Sequence, residues 1–232
     1  MSNSGKLWNI KEAYKQSRDN NWSQGQRGIF AGGNPGGGSG VNTIDFITIS
    51  TTGNATDFGD AASGQEMTGG LSNQTRYVHD DGGSPYVGQG YVTISSQGNS
   101  ADFPNLSATR YFTGSASNST RGLKCGGETG PSDSNVIDYT EFTTLGSFVD
   151  FGNLTSSRRM HNTQSMTPTR ALFMGGQTPS SSNIMEFVEI STAGDSTDFG
   201  DLDTATGAGA STASSTGRAV YGSGAQPSRV TQ

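Results

Sequence analysis

Short apolar segments recur along this chain, and each is bounded by glycine, serine, threonine or asparagine. The clearest are "NTIDFITIST" at 42–51 and "NIMEFVEIST" at 183–192, which are rich in Ile, Val, Phe and Thr. Such segments between turn-forming residues are typical of β-strands. In both of them the alternation of apolar and polar positions changes phase in the middle. The pattern therefore predicts strands that are covered on both faces or that carry a β-bulge.

These segments belong to a unit that repeats along the chain. The first segment of each unit starts with an arginine and closes with a glycine pair, as in "RGIFAGG" at 27–33 and "RALFMGG" at 170–176. The glycine pair predicts a tight turn with positive φ angles. The leading arginines stand 49, 45, 49 and 48 residues apart, at Arg27, Arg76, Arg121, Arg170 and Arg218. Self-similarity at a nearly fixed period indicates a repeated supersecondary unit.

A third segment of the unit contains Asp-Phe-Gly or Asp-Phe-Pro, as in "ATDFGDA" at 55–61. A protein kinase has the Asp-Phe-Gly triplet once, together with an His-Arg-Asp loop, whereas this chain has four copies of Asp-Phe-Gly or Asp-Phe-Pro and no His-Arg-Asp. We therefore expect a structural role, with each phenylalanine in a core and each carboxylate bonded to turn amides. The four acids are Asp57, Asp102, Asp150 and Asp198. A fourth segment, small and polar, precedes the next arginine.

Four short strands per repeat are typical of a propeller blade, and the glycine pair after an apolar strand resembles the kelch pattern. The Trp-Asp and Gly-His marks of WD40 blades are missing, and so are the later Tyr and Trp of kelch blades. The repeats supply seventeen candidate strands, and four blades need sixteen. We predict an all-β, kelch-like β-propeller over 27–232, with four blades favoured over five; an open solenoid and a trimeric β-prism stay open. The surplus strand is expected to pair with a neighbouring subunit or to lie under the N-terminal segment.

Residues 1–26 precede the repeats and contain both tryptophans. Asn9 and Glu12 have the spacing of a capping box, and apolar residues follow at helical intervals, so we predict a short helical segment. This segment either caps the β domain or docks into another protein, and we favour docking because buried aromatic residues dominate interface energies. The predicted anchor residues are Leu7, Trp8, Ile10, Tyr14 and Trp22.

Composition and charge narrow the functional classes. Apolar residues make up only 30% of the chain, but charged residues are also few at 15%, and disordered chains usually combine low apolar content with high charge. The net charge is −6 and the Lys and Arg residues are scattered, so we expect no nucleic-acid partner. A single cysteine, Cys125, allows no internal disulfide. No apolar stretch resembles a signal peptide or a membrane span, which predicts synthesis in the cytoplasm and no membrane insertion.

Candidate chemistry is weak throughout the sequence. Charged residues that recur in the repeats favour strand pairing or loop hydrogen bonds, because a catalytic group is needed once; they are Arg27, Arg121, Arg170, Asp45, Asp138 and Glu186. Features found in one repeat are the alternating pair His79 and Asp81, which could share a metal ion, and the pair Cys125 and His161, which could act as nucleophile and base. The Gly-rich stretch 32–41 lacks the Lys-Ser/Thr of a phosphate loop. We expect no catalytic residue, metal or cofactor.

The stretch "KLWNIKEAYKQSRDNNW", followed by "RGIFAGG" and "NTIDFITISTTGNATDFGD", resembles virion proteins of marine bacteriophages, especially cyanophages. The resemblance covers nearly the whole chain. It implies a structural component of the virion, such as a tail, fibre or capsid-surface protein, with other phage structural proteins as partners and with homo-oligomers in the particle. Its departure from the pattern is the truncated repeat count.

An alternative function is a carbohydrate-binding module that recognises a glycan of the host surface through the blade loops. Sugar sites favour exposed aromatic platforms, and the repeats contain no tryptophan. The available phenols are Tyr77, Tyr86, Tyr91, Tyr111, Tyr139 and Tyr221. An enzyme is the least supported class because no carboxylate pair stands apart from the repeats.

Overall fold

A computed structural model describes residues 27–36, 40–65, 69–81, 88–160, 164–207, 211–214 and 217–222. These residues form eighteen β-strands and contain no helix. Within the same ranges, no helical stretch has the length and apolar character needed to cross a bilayer. The predicted helical segment 1–26 and its anchor residues lie outside the described residues; they are Leu7, Trp8, Ile10, Tyr14 and Trp22.

The strands form five antiparallel sheets in chain order. Sheet I contains β1 (Arg27–Ala31), β2 (Val41–Thr48) and β3 (Thr56–Gln65). Sheet II contains β4 (Gly70–Ser72), β5 (Arg76–Asp81), β6 (Gly88–Thr93) and β7 (Ala101–Phe103). Sheet III contains β8 (Gly114–Ser117), β9 (Arg121–Cys125), β10 (Val136–Glu141) and β11 (Val149–Asn153). Sheet IV contains β12 (Ser165–Met166), β13 (Arg170–Met174), β14 (Gln177–Thr178), β15 (Ser180–Glu189) and β16 (Thr197–Thr206), and sheet V contains β17 (Ser211–Ser214) and β18 (Ala219–Gly222).

All seventeen strands expected from the repeat are present, and β14 is an addition to them. The prediction of an all-β fold built from repeated antiparallel sheets is therefore confirmed. In sheets II and III the strands follow one another in sequence order, with the small polar strand at one edge and the Asp-Phe strand at the other. The last two strands pair with each other, Ser211 opposite Gly222, while β1 pairs with β2.

The Asp-Phe-Gly segment is a β-bulge. In sheet III, Ile137 lies opposite Gly152 and Asp138 lies opposite Asp150, so Phe151 between them is the extra residue. Sheets I and IV show the same register shift. A bulge is therefore present, but its extra residue lies on the neighbouring strand and not, as expected, on the second strand, whose pattern changes phase.

The hydrophobic cores lie between successive sheets. One cluster joins Leu123 and Phe151 of sheet III to Phe173 and Val188 of sheet IV. Another joins residues of sheets II and III, and a third joins residues of sheets I and II. Three of the four recurrent phenylalanines are buried in these clusters, namely Phe58, Phe103 and Phe151.

Phe199 departs from this pattern. Its side chain is 52% exposed, so the expectation that each of these phenylalanines enters a core is wrong in sheet IV. The residue occupies the same place in the bulge as Phe151. Its side chain instead lines a groove between sheets IV and V. The environment of an Asp-Phe-Gly bulge is thus decided by its neighbour and not by its own sequence.

We predict that Gly152→Ala destabilises the protein more than Gly200→Ala does. Both glycines have positive φ angles, 149° and 130°, so both variants carry backbone strain. A Cβ at Gly152 would also collide with the Gly194 carbonyl oxygen, whereas at Gly200 the nearest described atom is Met185 Cε at 3.8 Å. We expect the free energy of unfolding in urea to fall by about 1–3 kcal/mol more for Gly152→Ala. Equal losses in the two variants would contradict this account.

Candidate functional site: the contact between successive sheets

The polypeptide crosses from one sheet to the next through a buried charged residue. Arg110 lies between sheets II and III, and its Nη2 donates to Asp138 Oδ2 of β10 at 2.5 Å. Its Nη1 donates to the carbonyl oxygens of Gly126 and Val136, at 3.0 and 2.6 Å. Both partners of the ion pair have fully buried side chains. The Asp138 carboxylate also accepts from the Ser107 hydroxyl at 2.7 Å.

The next crossover repeats this arrangement one sheet further along. Arg158 forms a fully buried ion pair with Glu186 of β15, and its carbonyl oxygen accepts from the Gly127 amide of the preceding sheet at 3.0 Å. The Thr155 amide also donates to the Glu186 carboxylate, at 2.7 Å. A single residue thereby bonds to sheet III through its backbone and to sheet IV through its side chain.

Sheet II has a related but different network. Gln65 occupies the crossover position, and its Nε2 lies 3.0 Å from His79 Nδ1, with both residues fully buried. The adjacent Asp80 forms a buried ion pair with Lys124 of sheet III at 2.7 Å. Its carboxylate also accepts from Gln89 Nε2 at 2.8 Å. These contacts bind one sheet to another, and the described residues contain no group of three or more His, Cys, Asp or Glu that could hold a metal ion.

Three of the leading arginines make a second contact, with the sheet that follows. Arg27 donates to the Ile94 carbonyl at 2.7 Å, and Arg121 donates to the Ile190 carbonyl at 2.6 Å. Arg76 makes the same bond to the Phe142 carbonyl. Each guanidinium also lies over an aromatic ring of its own sheet. The expected role of Arg27 and Arg121 in loop hydrogen bonding is therefore confirmed.

The third contact joins the bulge of one sheet to a loop of the next. The Gly98 amide donates to the Phe58 carbonyl at 2.8 Å, and the Gly194 amide donates to the Phe151 carbonyl at 2.7 Å. In the second case, the Asn153 amide also donates to Asp195 Oδ1 at 2.9 Å. The bulge glycine permits this approach because any side chain there would collide with the incoming loop.

Two surfaces of the described chain each present the residues of one side of this inter-sheet contact. The sheet IV face consists of Arg170, Phe199, Gly200 and Asp201, in the positions that bind a following sheet elsewhere. The sheet I face consists of Ile49, Gly53 and Asn54, in the positions that bind a preceding sheet. Ile49 is 65% exposed, whereas its equivalents Phe142 and Ile190 are 0% and 3% exposed. Beside the sheet IV face, Arg170 and Phe199 line a groove of about 570 Å³ between sheets IV and V.

The remaining sequence candidates are dispersed. Cys125 is buried in the core of sheets III and IV, and its predicted partner His161 lies outside the described residues. Asp198 accepts from the Gly200 amide at 3.2 Å, in line with the expected bond to a turn amide. Residues 37–39 of the Gly-rich stretch also lie outside the described ranges.

Sequence analysis missed Arg110, Arg158, Lys124 and Asp80 as the charged residues of the inter-sheet contact. The sequence holds a regular spacing, because Arg110 and Arg158 each stand 28 residues before their acidic partner, but this spacing can be interpreted only once the fold of the crossover is known. Asp138 and Glu186 were expected to take part in strand pairing or loop hydrogen bonds. They do bond to loops, but their main partner is the crossover arginine.

Comparison with known proteins bears on the fold alone. No family model and no curated protein matches the sequence. Among solved structures, 113 chains match, and one of them is YjhT, with a TM-score of 0.65 and 10% sequence identity over 82% of this chain and 71% of the YjhT chain. At this identity the likeness supports an antiparallel, propeller-like arrangement of sheets and carries no functional information.

Because both charges of the Arg158–Glu186 pair are buried, we predict that Arg158→Met lowers the free energy of unfolding by about 3–5 kcal/mol. Replacing both partners, as Arg158→Met with Glu186→Met, should recover part of this loss, since no unpaired charge then remains. Glu189→Gln, at the exposed pair with Arg170, is the control and should change stability by less than about 1 kcal/mol. Urea denaturation measures all three, and additive losses in the double variant would refute the coupling.

The buried thiol of Cys125 provides a test of the core between sheets III and IV. Burial raises the pKa of its thiol to about 12, so the thiol stays protonated and unreactive at pH 8 in the folded protein. We predict that a soluble disulfide reagent modifies no thiol of the native protein and one thiol per chain in denaturant. Reaction of the folded protein at the rate of a free thiol would show that the sheet III–IV core opens.

Proposed function

We propose that this chain is a structural, non-enzymatic component of a bacteriophage particle, located in a tail, a fibre or the capsid surface. The observation that carries the proposal is the structural role of the buried charged residues. The crossover ion pairs and the leading arginines bind one sheet to the next, so the most buried charged groups of the described chain serve architecture. The phage assignment itself draws on the resemblance of the sequence to marine phage virion proteins.

We further assign the sheets as blades of a kelch-like propeller. Sheets II and III have four strands in the order expected of a blade, and sheet IV has these four with β14 added. The pairing of β17 with β18 supports a five-blade arrangement with incomplete first and last blades over a closed four-blade ring. In a four-blade ring, β17 would pair with β1.

The N-terminal segment 1–26 is the proposed anchor to other phage structural proteins. Its five apolar and aromatic residues are the proposed contacts, because aromatic side chains in helical arrays are frequent interface hot spots. The residues assigned to the anchor are Leu7, Trp8, Ile10, Tyr14 and Trp22.

The alternative, recognition of a host glycan, has less support from the described tyrosines. Tyr91 and Tyr139 lie beneath arginine guanidinium groups, and Tyr77 stacks on His79. All five described tyrosines are partly buried, so none presents the fully open ring on which a sugar stacks. They are Tyr77, Tyr91, Tyr111, Tyr139 and Tyr221, and Tyr86 lies outside the described residues.

We predict that deleting residues 1–26 leaves the β domain folded but abolishes its incorporation into particles. The inter-sheet contacts described above lie within 27–222, so the deletion removes none of these. Particles would be assembled in host cells supplied with the full-length or the truncated chain, purified, and analysed by mass spectrometry. Folding of the truncated chain would be checked by its urea midpoint.

A matched variant tests whether incorporation depends on the aromatic residues of the segment or only on its length. Trp8→Ala with Trp22→Ala keeps the segment and should reduce incorporation in the same direction. Normal incorporation of the truncated chain would overturn the anchor assignment. Absence of the full-length chain from purified particles, together with glycan-array binding by 27–232 alone, would replace the structural role with the carbohydrate-binding one.

A further inference from the structure

We propose that the sheet IV face binds the sheet I face of a second copy of the chain, so that copies associate head to tail. The two faces hold complementary halves of a contact that the chain itself makes between successive sheets. The inference goes beyond the particle role proposed above and does not depend on it. Its argument has three parts, one for each component of the inter-sheet contact.

The first component is the leading arginine. Arg170 lies over the Phe187 ring at 4.5 Å, as Arg121 lies over Tyr139 at 4.9 Å. Arg121 uses this position to donate to the Ile190 carbonyl of the following sheet. Arg170 bonds Glu189 of its own sheet through Nε, and a guanidinium carries four further N–H donors. Arg170 is therefore held in the orientation from which the other leading arginines reach across.

The second component is the acceptor on the sheet I face. Ile49 occupies the place of Ile94, Phe142 and Ile190, whose carbonyl oxygens accept from the arginine of the preceding sheet. Sheet I is the first described sheet, so no described sheet precedes it, and the Ile49 side chain is 65% exposed. A second copy that placed its Ile49 beside Arg170 would complete the hydrogen bond and bury this side chain.

The third component is the bulge and its loop. At Gly152, an added Cβ would meet the Gly194 carbonyl of the next sheet, but at Gly200 it would meet only Met185 Cε, at 3.8 Å, among the described atoms. Space for a loop is therefore open over Gly200. The loop at Gly53 and Asn54 has the same glycine-then-polar pattern as Gly194 and Asp195. In the docked pair, the Asp201 amide would donate to Asn54 Oδ1, as the Asn153 amide donates to Asp195 Oδ1.

A second copy is the occupant because the two faces do not meet within one chain. Ile49 and Phe199 are 65% and 52% exposed in the same molecule. The chain matches 71% of the longer YjhT chain, so its sheets follow one part of such a fold. A contact of this kind joins two different surfaces, so it builds a ring or a filament according to the rotation between copies.

Docking also concerns β18, the arginine-led strand that pairs with β17 within the chain. Sheet I has such a strand, β1, and no described small polar strand pairs with it. We infer that β1 of the second copy replaces β18 beside β17. Little burial is lost in this exchange, since Val220 of β18 is 68% exposed. Sheet I would thereby gain the fourth strand that sheets II and III possess.

The experiment uses two single-site variants of the full chain, Asn54→Cys and Asp201→Cys, one of them carrying an affinity tag. The native thiol Cys125 is buried and serves as the internal negative control in the wild-type protein. A short bis-maleimide is added to each variant alone and to their mixture. We expect a covalent dimer containing both chains in the mixture, and none in wild type or in either variant alone.

A blocking substitution tests whether the bulge contact is used. Gly200→Leu added to Asp201→Cys fills the space over the bulge and should lower the yield of mixed dimer about tenfold or more. Gly36→Leu is the matched control, because Gly36 also has a positive φ of 98° and has no described atom within 4 Å of an added Cβ. Arg170→Ala provides a second disruption that introduces no bulk, and the urea midpoint of each variant shows that it is folded.

Two results would overturn the proposal. The first is the absence of mixed dimer at every concentration of folded protein tested. The second is a cross-link within single chains of the double variant Asn54→Cys/Asp201→Cys that does not depend on dilution, since the two faces would then close on each other inside one molecule. Mixed dimer that is unaffected by Gly200→Leu and by Arg170→Ala would likewise refute the assigned contact.

Discussion

Buried ion pairs fix how sheet III follows sheet II and how sheet IV follows sheet III. Arg110 and Arg158 carry full charges into positions that water does not reach. A buried charge without a partner is strongly unfavourable, so each arginine must meet the acid of the following sheet. Only one placement of that sheet brings Asp138 or Glu186 to the guanidinium. The polar contact thereby specifies the arrangement of the sheets, while the apolar clusters supply most of the gain on folding.

This constraint explains how a chain with 30% apolar residues holds an ordered interior. Each apolar cluster is small and shared by two neighbouring sheets, so a sheet alone has little core. Glycine lets the backbones approach: the bulge glycine Gly152 lies directly against the Gly194 carbonyl of the next sheet. Hydrogen bonds between backbones then join the sheets at places where larger side chains would pack in other folds. The structure is consequently cooperative along the array, since each sheet depends on its neighbours.

The strands could be predicted because their signals are local. Alternation, β-branched residues and turn residues lie within a few positions of one another, and all of the predicted strands are present. The bulge was visible only as a phase change in the second strand, because placing the extra residue on Phe151 requires the register with the neighbouring strand. The ion pairs escaped prediction since a spacing of 28 residues has no meaning until the crossover is known to turn inward. Phe199 shows the same limit, as its sequence surroundings match those of buried Phe58.

Arrays of repeats usually end in units with a polar outer face, which keeps the ends from associating. Here two faces expose apolar side chains, Ile49 on sheet I and Phe199 on sheet IV, in the positions that bind a neighbouring sheet elsewhere. Association of two molecules costs more entropy than folding one sheet against the next, by about 4–15 kcal/mol. A single hydrogen bond from Arg170, worth about 1.5–3 kcal/mol, cannot offset that cost. The arginine bond, the bulge contact and the burial of Ile49 must therefore form together in the proposed pair, so its association would depend on the same geometry that orders the sheets within one chain.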